Sequence, residues 1–194
     1  MRYSSEMARK TIHISSIALP IAIYFAPTDL SRRVLAVVTI LVLAFDAIRL
    51  HEPRFRRAFY FLLGRVLREH ERFNLLGSTY LLIAALVCVF AFPKPIAVTV
   101  LGFLIVGDAA AALIGRRWGR TKILDKSLEG SLACLVCCLI VGFLYPGSAP
   151  GILRIVVGSV VATLFELLPV PLDDNLRIPL GAGFAMMLLP GALP

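Results

Sequence analysis

The chain has 194 residues, 59% of them hydrophobic, and a mean hydropathy of +0.87. A soluble globular domain is only about 45–50% apolar, so residues 1–194 read as a single integral membrane domain. The formal net charge of +8, from 20 Lys+Arg against 12 Asp+Glu, is accounted for by cytoplasmic loops and anionic headgroups, and nucleic acid is excluded as the partner.

A spanning helix takes about 20 apolar residues, and seven segments approach this, near 12–27, 33–50, 75–92, 95–115, 129–146, 151–169 and 176–193. The expected fold is therefore an all-α polytopic bundle of about seven transmembrane helices. The first run lacks a small-residue cleavage site and is read as a retained span rather than a signal peptide. Segment 51–72 differs: Phe55, Phe59, Leu62, Leu63, Val66 and Leu67 recur at helical spacing between charges, the pattern of an interfacial amphipathic helix. The last segment carries Pro179, Gly181 and Gly183 near its start, which leaves open whether it is continuous, broken or partly re-entrant. Only Arg32, Arg33, Lys94 and Arg154 fall on one side of such a bundle, and the other 16 of the 20 cations fall on the opposite side. That bias predicts a cytoplasmic N-terminus.

With this topology the polar residues that interrupt the apolar runs gather near the cytoplasmic face. They are His13, Asp46, Asn74, Ser78, Asp108, Glu129, Glu166 and Asn175. A charge inside a span costs about 2.5–3.5 kcal/mol on insertion scales, so such residues are paired, functional or both. Asp108 shares a helical face with Ala111, Ala112 and Gly115, which permits close approach of a ligand or of another helix; a structural pairing with a cation across the bundle is the alternative. A basic loop follows, with Arg116, Arg117, Arg120, Lys122 and Lys126. Ser127 is placed to cap the next helix, with Glu129 in its first turn, and that helix start, with Lys126, suits a phosphate. Glu166 lies on a stripe with Ser159, Ala162 and Thr163. Asp173, Asp174 and Asn175 form an acidic turn, solvated by default, that reaches the same leaflet. Asp108, Glu166 and Asp174 are thus candidate ligands for Mg²⁺, which takes one or two carboxylates with phosphate oxygens. Asp46 and Arg49 are spaced as an intrahelical pair. Cys134 and Cys137 form an isolated CxxC, read as apolar packing rather than a metal or redox site. No GxxxxGK[ST] or GxGxxG pattern occurs.

The motifs RKTIH (9–13), FDAIRL (45–50), REHERFNLLGSTY (68–80), GDAAAALIGRRWGR with KSLEGS (107–131) and FELLPVPLDDNLRIPL (165–180) together resemble the CTP-dependent lipid-alcohol kinases. That family includes dolichol kinase, phytol kinase and CTP-using diacylglycerol kinases, and the resemblance covers nearly the whole chain. It implies CTP as donor, Mg²⁺ as cofactor and a membrane lipid alcohol (polyprenol, phytol or farnesol type, or diacylglycerol) as acceptor. It implies Asp108, Lys126, Glu129 and His13 in catalysis, and Arg116, Arg120, Lys122, Lys126, Ser127, Gly130 and Asn175 at the nucleotide. Asp108, Glu166 and Asp174 would hold metal, while Lys10, Asp46, Arg49, Glu71 and Ser78 would contact or support the substrate. The central pattern is also similar to that of phosphatidate cytidylyltransferase, whose C-terminal signature this chain lacks, so CMP transfer to a lipid phosphate is the alternative enzyme reading. A small transporter is the alternative of another class, disfavoured by the apolar outer halves of the spans.

Overall fold

The computed structural model of the protein describes residues 3–64, 67, 69–145 and 150–190. The portions of the expected segments at 65–66, 68, 146 and 191–193 lie outside the described residues, as do Arg2, Arg65 and Arg68 of the charge bias.

The architecture is all-α apart from one minimal hairpin. The helices are α1 (Tyr3–Ser15), α2 (Ala18–Phe25), α3 (Thr28–His51), α4 (Pro53–Leu63), α5 (Gly77–Ala91), α6 (Lys94–Gly102), α7 (Asp108–Trp118), α8 (Leu128–Phe143), α9 (Ile152–Leu167) and α10 (Asp174–Met187). A short 3-10 turn, Glu69–Arg72, follows α4, and a π-helical turn, Phe103–Gly107, joins α6 to α7 without a break. The strands β1 (Lys122–Ile123) and β2 (Lys126–Ser127) pair antiparallel and close the basic loop.

Local chemistry explains the boundaries. The first apolar run divides into α1 and α2 because Pro20 has no N–H to offer the carbonyl of Ser16. The Leu19 N–H takes that carbonyl instead, at 2.9 Å, tightening the turn. Helix α3 stops at Glu52, which is extended ahead of Pro53, as the residue before a proline usually is. Ser127 Oγ accepts the Gly130 N–H at 3.2 Å to cap α8, and Asp173 Oδ1 accepts the Asn175 N–H at 2.9 Å to cap α10. The last segment is continuous over Asp174–Met187, where α10 runs through Pro179. Proline there forfeits a single bond, to the Asn175 carbonyl, near the helix start where the cost is small. The amphipathic helix is shorter than expected, ending at Leu63 before Gly64.

Helices α6 and α7 with the π turn form a shaft of 25 residues, Lys94–Trp118, through the centre of the bundle. Val100, Leu101, Phe103, Leu104 and Ile105 on it are 0% exposed. Helices α5, α8, α9 and α10 pack around this shaft, and α3 lies outside against α5. The shaft and α3, 24 residues long, are long and apolar enough to cross a membrane. Helix α3 turns Val34, Val37, Ile40, Leu41 and Ile48 outward; an apolar helix face left uncovered in this way suits lipid rather than water. Helices α5 and α8 are apolar but shorter.

Candidate active site

One end of the bundle collects the charged residues that the core cannot carry alone. Lys10 and His13 sit one turn apart on α1, and Asp108 opens α7 directly after the π turn. Lys10 Nζ donates to Asp108 Oδ2 at 2.6 Å, and His13 Nε2 lies 3.6 Å from the same oxygen. Lys126, on β2, donates to Glu166 Oε1 at 2.6 Å and also to the Glu166 carbonyl, and lies 3.9 Å from Asp174 Oδ2. Arg177 pairs with Asp174 one turn along α10. Asp108, Glu166 and Asp174 are thus each met by a cation, as low dielectric demands.

Two glycines let the basic hairpin close over this end. A Cβ on Gly115 would stand 2.7 Å from Ser127 Oγ, and one on Gly130 would stand 2.7 Å from the Ala111 carbonyl oxygen. Helices α7 and α8 thus touch almost backbone to backbone. The contact leaves a polar cleft of about 240 Å³ walled by Arg9, Lys10, Asp108, Arg116, Lys122 and Lys126, with Ser127, Gly130, Ser131, Glu166 and Asp174. Among the described residues, Ser131 Oγ and Glu166 Oε2 are buried without a hydrogen-bond partner.

A second lobe of about 280 Å³ adjoins the first and is mostly apolar. Ile12, Phe59, Leu63, Leu76 and Leu81 form its greasy walls, and His13, Glu71, Ser78 and Asn175 its polar ones. The cleft and the lobe share Arg9, Lys10, Asp108 and Asp174. Asp108 thus stands where a polar ligand in one cavity meets an apolar ligand in the other.

Most residues expected from the sequence are brought together here, with four adjustments. Glu129 does not line the cleft: its carboxylate takes the Thr121 N–H at 3.0 Å and fastens the basic loop. Arg120 is exposed and outside the cleft wall. Asn175 faces the apolar lobe instead of the polar cleft, because its amide is held by Asp173 Oδ1 at 2.8 Å. Asp46 and Arg49 are wholly buried and paired at 2.7 Å, behind the lobe and not in it. The sequence reading missed Asp125 and Ser131 on the cleft wall and Phe59 and Leu63 on the lobe wall; the 3.6-residue pattern of α4 was the available signal for the last two.

The candidate metal ligands Asp108, Glu166 and Asp174 all line the cleft. Among the described residues no three His, Cys, Asp or Glu side chains are grouped to hold a metal ion. Asp108 pairs with Lys10, Glu166 with Lys126 and Asp174 with Arg177, and Lys126 also lies 3.9 Å from Asp174.

Fold and site together define a helical protein with an apolar outer face that offers a cationic cleft beside a lipid-like lobe. The chain is 30% identical to the CTP-dependent diacylglycerol kinase 1 of Schizosaccharomyces pombe, over 74% of each chain. It is 32% identical to a chloroplastic farnesol kinase of Arabidopsis thaliana over 63% of its own length, spanning 46% of that protein. An uncharacterized protein of Rickettsia prowazekii is 27% identical over 97% of this chain and 96% of its own. No family model and no solved structure matches. The chain belongs to the CTP-dependent lipid-alcohol kinase family.

Proposed function

We propose that the protein transfers the γ-phosphoryl group of CTP to the hydroxyl of a membrane lipid alcohol of the prenol, polyprenol or diacylglycerol type. The observation that carries this reading is the junction of the two cavities at Lys10 and Asp108. The triphosphate lies in the cationic cleft, against Lys126, Lys122 and Arg116, with the capped start of α8 beneath it. The alcohol's hydroxyl reaches Asp108 from the apolar lobe. Its oxygen forms the new O–P bond as the β–γ bridging bond breaks, CDP leaves, and the alcohol's proton passes to the Asp108–His13 pair. Phosphoryl transfer asks for alignment and charge neutralisation rather than covalent catalysis, and the lysines supply the charge. Lys126 exchanges its contact with Glu166 for phosphate oxygens as the nucleotide enters. Magnesium, on this reading, would be held by one or two of Asp108, Glu166 and Asp174 together with phosphate oxygens, and would neutralise the charge of the nucleotide.

The same reading places seven spans in the bilayer: α1 with α2, α3, α5, α6 with α7, α8, α9 and α10. The N-terminus and the site face the cytoplasm. Support comes from the opposite end of the bundle, where cations serve carbonyls. Arg32 Nε donates to the Val89 carbonyl at 3.0 Å, Lys94 Nζ to Ala26 at 2.8 Å and Arg154 Nη2 to Leu189 at 3.0 Å.

The test is incubation of the purified protein in lipid with γ-labelled CTP, Mg²⁺ and a panel of farnesol, phytol, polyprenol and diacylglycerol. Label recovered in a lipid monophosphate supports the kinase. Pyrophosphate release with CMP joined to lipid would establish cytidylyl transfer in its place, and no labelled or CMP-bearing lipid would refute this choice of acceptors.

A further inference from the structure

Arg49 is the largest wholly buried side chain of the bundle, at 0% exposure. Its surroundings are unusual for a structural ion pair. Nε donates to Asp46 Oδ1 at 2.7 Å, Nη1 to the Glu71 carbonyl at 2.7 Å and Nη2 to the Asn74 carbonyl at 2.6 Å. The guanidinium also sits 5.7 Å from the centre of the Phe59 ring. Asp46 completes the array: its Oδ2 accepts the Leu76 N–H at 2.9 Å and the Thr79 hydroxyl at 2.6 Å.

Every group so held belongs to a wall of the apolar lobe or adjoins one. Phe59 comes from α4, Glu71 from the 3-10 turn, and Leu76 and Gly77 from the start of α5. Glu71 Oε1 in turn accepts the Gly77 N–H at 3.0 Å, closing the loop on itself. Three separate pieces of chain are thereby tied to one planar fork, which a lysine, with a single ammonium, does not reproduce. None of these ties reaches the cationic cleft, which is walled by α1, α7, the hairpin, α8, α9 and α10.

We propose that Arg49, set by Asp46, is a positioning residue for the lipid acceptor: it fixes the shape of the apolar lobe from behind without touching the substrate. The inference rests on the reading of that lobe as the acceptor site. It assigns the pair to one substrate of the two, so perturbing it moves the lipid's kinetic constants and leaves those of the nucleotide in place.

The experiment uses the full-length protein in detergent–lipid micelles, with Arg49→Lys and Asp46→Asn. KM is measured for CTP and for farnesol separately, and tritiated farnesol binding is measured without nucleotide. KM for farnesol is expected to rise about tenfold or more, the equivalent of one charge-assisted hydrogen bond, with KM for CTP unchanged. A parallel rise in both constants, or no rise in either, overturns the assignment. Phe59→Leu, which leaves the buried pair intact, gives a smaller rise for farnesol alone if the guanidinium–ring contact shapes the lobe, and no rise counts against it. Should the wild type transfer no phosphoryl group, the kinase reading fails. Farnesol binding then decides the positioning role by itself: weakened in Arg49→Lys if the role is real, unchanged if it is not.

Discussion

Lys10 and Asp108 form the buried pair on which the site turns, and a three-variant set separates its structural from its chemical role. The two side chains are 6% and 11% exposed and meet at 2.6 Å. Deleting one member of such a pair strands the other's charge in low dielectric, at a cost of about 3–5 kcal/mol. Asp108→Asn keeps an oxygen for Lys10 Nζ, so the lower end, about 3 kcal/mol, is expected. In a chain of this size that corresponds to a fall in melting temperature of roughly 6–12 °C. Lys10→Met strands the carboxylate and is expected to cost as much or more. The double variant Lys10→Met with Asp108→Asn carries neither charge and should melt close to the wild type. Unfolding can be followed in micelles with a thiol-reactive dye, because Cys88, Cys134 and Cys138 are buried until the bundle opens. Phosphoryl transfer, by contrast, should fall by about a hundredfold or more in all three variants, the usual contribution of a proton-accepting group. If the double variant regained both its melting temperature and its turnover, Asp108 would be a structural aspartate and the reading of the junction would be refuted.

Lys126→Met frees Glu166 and removes a cation from the cleft; steady-state kinetics should show KM for CTP raised about tenfold or more, with KM for the lipid alcohol little changed. Gly130→Ala forces a methyl to within 2.7 Å of the Ala111 carbonyl oxygen, which should destabilise the α7–α8 crossing by about 1–3 kcal/mol and lower CTP affinity by titration while insertion persists. Neutralising the exposed basic edge of α4 by Arg54→Gln with Arg57→Gln should weaken attachment of that helix to anionic vesicles by about 1 kcal/mol per residue. Quenching of a tryptophan introduced by Phe61→Trp, at a position 89% exposed, reads this directly; equal quenching in neutral and anionic vesicles would contradict it.

How far the chain could be read in advance depended on the kind of signal. The shaft Lys94–Trp118 was legible because an apolar run of that length has few alternatives, and Asp108, Lys126, Glu166 and Asp174 stood out as charges set in or beside such runs. The division of the first run turned on Pro20 acting one turn back on Ser16, a local rule overridden by the eye for hydropathy. The direction of Glu129 was not legible, because it depends on the hairpin bringing Thr121 within reach, a pairing of two-residue strands with no β-pattern to announce it. The partners of the candidate metal carboxylates were hidden for a related reason. Sequence places three carboxylates in one leaflet, but which cation each meets is set by helix rotation. The lobe's walls were hidden because Phe59 and Leu63 look, in sequence, like ordinary membrane-facing residues of an amphipathic helix.

The π turn Phe103–Gly107 has a consequence beyond its length. Such a turn holds one residue more than an α-helix needs, and each residue of an α-helix advances the side chains by about 100°. Wound as plain α-helix with no residue removed, the same stretch would carry Asp108 round by about that angle, away from Lys10 and out of the shared wall. The orientation of the reacting groups is therefore set in the most hydrophobic part of the protein, by phenylalanine, leucine and isoleucine that never meet a substrate. A change there that straightened the turn into α-helix would leave every polar residue of the cleft in the sequence and still dismantle the site.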